Sequence, residues 1–124
     1  MPLFYFFMKK KQNGGIFVVL VKLKLYERLT AVDILPKEGG IVTLRLIRDL
    51  TQKLGPSADE LREFEVKQEG NTVTWGVKGN EDIQFDLKEK EQDLLKAELE
   101  KLDKAGKLEM RHYSLYNKIF DLKE

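Results

Sequence analysis

The sequence predicts an α+β domain, and three features carry the prediction. Leucine-rich stretches with helical spacing occupy both halves of the chain. Between them, "FEVKQEGNTVTWGVKGNEDIQFDL" alternates apolar and polar residues around two Gly-Asn pairs, the pattern of hairpins. Gly-Pro and Gly-Gly pairs separate the helical stretches. The expected order is N-terminal helices, a three-stranded antiparallel meander and two C-terminal helices, which admits a winged-helix-like arrangement.

The first 20 residues are expected to lie outside this domain, which would then span residues 21–124. "MPLFYFF" precedes Lys9, Lys10 and Lys11, the reverse of the charge order in a secretory signal. "IFVVLV" is too short to span a bilayer. Three readings of this leader stand: a hairpin around Asn13-Gly14-Gly15 with "IFVVLVKL" as a strand, a membrane-touching tag, or a translated upstream region. The third is preferred here. Gly14-Gly15 can be encoded by a purine-rich ribosome-binding sequence, and valine and leucine codons that serve as starts follow it.

"LKLYERLTAVDILP" places Leu25, Leu29 and Val32 on one stripe of a first helix, ended by Pro36. "IVTLRLIRDLTQKLG" sets Ile41, Leu44, Ile47, Leu50 and Leu54 along a second, with Arg45–Asp49 and Asp49–Lys53 as i,i+4 pairs. Gly55-Pro56 stops it. Ser57 and Glu60 form a capping box for a short third helix.

In the meander, Gly70-Asn71 suits a two-residue type II′ loop. It sets Phe64 opposite Val77, Val66 opposite Trp75 and Gln68 opposite Val73. A three-residue loop at Gly79-Asn80-Glu81 then sets Val77, Trp75 and Val73 opposite Ile83, Phe85 and Leu87. Each apolar side chain so buried is worth roughly 1.5–3 kcal/mol, so strands are expected near 64–69, 72–78 and 82–87, with Trp75 as core anchor. The fourth helix carries Leu94, Leu95, Leu99 and Leu102, with Gly106 just past its end. The last, "MRHYSLYNKIFDL", is apolar over a wide girth. It is expected to wedge between sheet and neighbouring helix, or to offer Tyr113, Tyr116 and Phe120 to a partner or a second copy of the chain.

Composition narrows the function. The chain has 124 residues and no cysteine, which removes disulfides, zinc thiolates and cysteine nucleophiles and fits a reducing cytoplasm. His112 is the single histidine, so neither an ordinary transition-metal site nor a catalytic constellation is expected. No cofactor, metal or catalytic residue is assigned. Charge runs from +3 over residues 1–21, through +3 over 22–56, to −5 over 57–124. Without the leader the domain is acidic, and phosphate contacts need a positive surface. Arg45, Arg48, Lys53 and Lys37 form the one plausible basic patch.

The stretches "YERLTAVDILPKEGGIVTLRLIRDL", "EVKQEGNTVTW" and "HYSLYNKIF" resemble a family of small proteins of bacteriophage and prophage genomes, over residues 22–122. The resemblance implies a start near Val21 or Lys22 and carries no activity. The expected function is therefore non-enzymatic: a phage accessory module in the host cytoplasm that binds a host or phage protein, with no membrane association. The alternative is a winged-helix-like transcriptional regulator that reads DNA through Arg45 and Arg48.

Overall fold

The computed structural model describes residues 10–13 and 16–121, with side chains from Val18 onward. It opens with strands β1 (Lys10–Asn13) and β2 (Ile16–Leu23). Helices α1 (Leu25–Asp33), α2 (Ile41–Leu54) and α3 (Ala58–Glu63) follow. A hairpin of β3 (Lys67–Glu69) and β4 (Thr72–Thr74) and a 3-10 turn over Val77–Asn80 lead to β5 (Ile83–Lys88). Helices α4 (Glu89–Lys104) and α5 (Met110–Ile119) complete the order. The class is α+β, as the sequence predicts.

The sheet is not the predicted meander. The three-stranded sheet has the order β1-β2-β5, and β3-β4 form a separate pair. β5 lies antiparallel to β2 over six residues, from Val18↔Lys88 to Leu23↔Ile83. Alternation puts Val19, Val21 and Leu23 on one face with Ile83, Phe85 and Leu87. Val21, Leu23 and Leu87 join the core of leucines contributed by the helices. β2 thus offers β5 three buried apolar neighbours, whereas β4 could offer Val73, which is exposed. Val77 is 84% exposed in its 3-10 turn, and Phe64 is buried at the end of α3 rather than in a strand. Trp75 is half-buried outside any strand, its Nε1 donating to Asn80 Oδ1 at 3.0 Å.

The same pairing corrects the placement of the leader. β2 runs across the boundary expected at Val21, and Val18 and Val19 are buried. The reading that made "IFVVLVKL" a strand following a turn near Asn13 describes the observed β1–β2 pair, with Asn13 opposite Ile16. Residues 1–9, with their apolar run, lie outside the described residues.

Local expectations hold elsewhere. In the β3–β4 loop Gly70 has φ 61° while Asn71 does not share a positive φ, the pattern of type II′, and Gln68 faces Val73 as predicted. Ser57 Oγ accepts from Glu60 N at 3.1 Å, and Glu60 Oε1 accepts from Ser57 N at 3.0 Å, closing the capping box. Gly106 takes φ 67° after α4, with Lys107 N donating to Leu102 O at 2.8 Å.

The helices and inner strands form two related halves, β2-α1-α2 and β5-α4-α5. In the strand and first helix the matched residues are 64 positions apart: Leu23 and Leu87, Lys24 and Lys88, Glu27 and Glu91, Arg28 and Gln92. In the second helix they are 65 apart: Leu50 and Leu115, Lys53 and Lys118, Leu54 and Ile119. The strand register obeys the same relation, since Val19↔Leu87 maps onto Ile83↔Leu23. So does the packing, with α1 against α5 and α2 against α4.

Three polar contacts repeat as well. Glu27 Oε1 accepts from Lys24 N, and Glu91 Oε1 from Lys88 N, each at 2.8 Å. Lys118 donates to Glu27 Oε1 and Lys53 to Glu91 Oε1, each at 2.7 Å, so each half supplies the cation for the other's buried carboxylate. Arg28 Nε donates to Leu54 O at 2.9 Å, and Gln92 Nε2 to Ile119 O at 3.1 Å, capping the end of the second helix in each half. α3 and the β3–β4 hairpin form the insertion between the halves.

Candidate functional site

Three of the exposed large apolar side chains lie in one turn of α2. The residues Ile41, Leu44, Ile47, Leu50 and Leu54 do not share one face. A step of three residues on a helix of 3.6 per turn falls short by about 60°, so three such steps from Ile41 reach the opposite side at Leu50. Leu50 and Leu54 are fully buried, whereas Ile41 is 63%, Val42 59% and Leu44 41% exposed. Ile41, Leu44, Arg45 and Arg48 follow i, i+3, i+4, i+7 and form the outward face. The helix is therefore apolar on two sides, and only one of them meets the core.

Charge borders this face. Arg45 is exposed, and Arg48 is exposed with its guanidinium 3.1 Å from Asp49 Oδ1. Lys37 is exposed in the turn before the helix. Lys53 does not belong to the patch. It sits five residues beyond Arg48, on the flank of the inner face, and its Nζ is held by Glu91. The expected Arg45–Asp49 and Asp49–Lys53 pairs give way to Arg48–Asp49 and Lys53–Glu91.

The residues proposed on α5 divide in two. Tyr116 and Phe120 stack with centroids 4.4 Å apart, and Phe120 packs on the core beneath Lys96. Tyr113, 51% exposed, and Met110, 81% exposed, stand outside. By the internal relation Met110 corresponds to Arg45 and Tyr113 to Arg48. Arg48 on α2 and Tyr113 on α5, picked out by different arguments, thus occupy equivalent outward positions in the two halves. The wide apolar girth of α5 comes from its burial against α1, α4 and β2.

Electrostatics elsewhere serve the fold. Arg28, 1% exposed, donates both Nη atoms to Glu60, at 2.8 and 2.9 Å, and lies 4.9 Å from the centroid of Phe85. That bidentate contact holds the Glu60 carboxyl below its ordinary range, against the opposing effect of partial burial. Burial works to lower the Lys118 ammonium, but the carboxylates of Glu27 and Asp82 outweigh it and raise it. Lys118 in turn lowers Asp82, helped by Lys24 and Lys22. Among the described residues no cluster of three His, Asp or Glu side chains could hold a metal ion. Among them, too, no helix is long and apolar enough to cross a membrane.

Sequence reasoning singled out Arg45, Arg48 and Tyr113, which are exposed, and did not foresee the exposure of Ile41, Val42 and Leu44, which it placed in the core or left unassigned. The usable signal was the spacing of three, which winds around a helix instead of tracking one face. Comparison of the chain with family models, with curated proteins and with solved structures finds no match.

Proposed function

We propose that this chain is a non-enzymatic interaction module that docks a protein partner on the outward face of α2. The observation that carries the reading is the exposure of Ile41 and Leu44 together on one face of a helix whose other face already fills the core, with exposed Val42 on its flank. Scattered surface leucines need no explanation, but contiguous apolar residues bordered by charge mark interaction sites. Arg45, Arg48 and Lys37 select a partner segment that carries an apolar stripe flanked by carboxylates. The resemblance to small phage and prophage proteins agrees with an accessory factor acting on a host or phage protein in the host cytoplasm.

The test is a photo-crosslinker at Ile41 in cells that contain the native partner. The reading expects a discrete adduct, lost in Leu44→Asp and in the double charge reversal Arg45→Glu/Arg48→Glu. An adduct that survives both variants, or none at all, counts against it.

Duplex DNA is the second reading, and one observation favours it. The basic run is not outside the fold: Lys10 and Lys11 lie in β1, in the sheet that also carries exposed Lys22 and Lys88. A strand ribbon can enter a major groove. This reading expects retention on duplex DNA at low salt that falls as salt rises, and that weakens in Lys22→Ala/Lys88→Ala. Retention that weakens only in Arg45→Ala/Arg48→Ala would move the contact to α2.

A further inference from the structure

β5 is an edge strand. β2 pairs along one side of it, and among the described residues no strand lies along the other. Among them, too, no backbone hydrogen bond other than those to β2 reaches Ile83–Asp86. An edge of this kind is a template for a further strand, and folds usually blunt it with proline, a bulge or a charge turned toward the core. β5 has none of these. It reads Ile-Gln-Phe-Asp-Leu-Lys and pairs with β2 one residue against one over its whole length. Its charges, Asp86 and Lys88, alternate onto the outer face, opposite to Ile83, Phe85 and Leu87.

The sister half shows what this fold does with such an edge. There β1 precedes β2 and pairs along its outer side. The 64-residue relation carries Lys10–Asn13 onto residues 74–77. Those residues do not return along β5. Thr74 pairs with Lys67 in the β3–β4 hairpin, and Val77 opens the 3-10 turn. The insertion takes up the segment that fills this place in the first half, so the sheet stops one strand short of its own symmetry.

The side chains of β5 determine which strand fits. Two copies of β5 related by a two-fold axis through the sheet run antiparallel, and each residue faces one of like orientation. With the axis between the two Phe85 residues, Ile83 faces Leu87 of the second copy and Gln84 faces its Asp86. Asp82, which also takes Lys118, then faces Lys88 of the second copy. The neighbouring registers that keep the apolar sides in line oppose Asp86 to itself, or Asp82 to Asp86. Like charges directly opposite destabilise a strand pair. The register centred on Phe85 is apolar on the inner face and free of such clashes on the outer.

We propose that the open edge of β5 binds the same edge of a second copy of the chain, joining two sheets into one of six strands in the order β1-β2-β5-β5-β2-β1. This contact is separate from the outward face of α2.

The test is sedimentation of the full chain over a range of concentration, with amide hydrogen exchange to locate the contact. A reversible dimer is expected, in which alternate amides of β5 gain protection as concentration rises. Gln84 is exposed, so substitution there spares the core. Gln84→Glu sets a second carboxylate against Asp86 of the second copy, while within the chain it lies opposite Lys22. It is expected to weaken the dimer about tenfold, because the axis repeats the clash. Gln84→Lys is expected to tighten it. A chain that stays monomeric up to about 1 mM overturns the proposal and leaves the edge to a strand of another protein. The proposal also falls if both variants dimerise as the parent does, or if dimerisation protects α2 or α5 and leaves the amides of β5 unchanged.

Discussion

Glu27 and Glu91 are equivalent residues, 64 positions apart, and each is neutralised by a lysine from the other half of the chain. Both carboxylates are fully buried, and both lysines are partly exposed, 24% for Lys118 and 30% for Lys53. The two pairs lock the halves reciprocally.

Removing either lysine leaves a buried carboxylate uncompensated. Lys53→Met and Lys118→Met are each expected to cost about 3 kcal/mol, the low end for a broken buried pair because the lysines keep some water. Adding Glu91→Gln to Lys53→Met is expected to recover a large part of the loss, since glutamine still caps Lys88 N–H and carries no charge. Urea unfolding of the three variants measures this; equal stability of the single and double variants would show that charge is not what the lysine satisfies.

Arg28 and Glu60 tie the insertion to α1 and predict a pH dependence. A carboxyl held below its unfolded value of 4.5 contributes stability above that pH and loses it as pH falls through the lower folded value. Resistance of the parent to chemical denaturation should therefore fall on acidification below about pH 4.5, and Glu60→Gln should flatten that limb. Lys118 acts in the opposite sense. Its raised value gives stability that is complete below its ordinary 10.5 and is lost as pH climbs through the higher folded value, a limb that Lys118→Met should remove.

The two faces of α2 should respond differently to the same change. Leu54→Ala empties a fully buried site and should cost about 2–5 kcal/mol. Leu44→Ala, at 41% exposure, should stay within about 1 kcal/mol while weakening any partner that docks there. Equal losses of stability would mean that Leu44 packs against the core.

Val21 and Val77 test the sheet in the same way. Val77→Asn should be nearly neutral because the side chain is exposed outside any strand. Val21→Asn places an amide in the core of β2 and should be among the most damaging single changes in the chain. The predicted meander would have made Val77 the costly position.

Much of the fold was legible in short windows. Helix limits followed from Pro36, Gly55-Pro56, the Ser57–Glu60 box and Gly106, each of which acts within a few residues. The hairpin register followed from Gly70 for the same reason. What failed was choice of partner over distance. β5 could pair with β4, close in sequence, or with β2, about 60 residues away, and the apolar count of β2 decides it. Setting residues 16–20 outside the domain removed that competitor. The internal repeat was also hidden, because its signature is only Leu-Lys-x-x-Glu in "LKLYE" and "LKEKE" and Leu-x-x-Lys-Leu/Ile in "LTQKL" and "LYNKI". Such fragments gain meaning once their contacts are seen to match. Of the candidate site, the arginines announced themselves by charge, while Ile41 and Leu44 were read as interior because leucines and isoleucines usually are.

A symmetric homodimer must display every surface feature in duplicate, since one gene product supplies both subunits. Here both copies reside in a single polypeptide, and selection can treat them separately. One outer helix carries Arg45 and Arg48 where its counterpart has Met110 and Tyr113. Carrying both copies in one polypeptide lets the two exteriors differ, basic on one side and aromatic on the other, over a repeated strand–helix–helix scaffold.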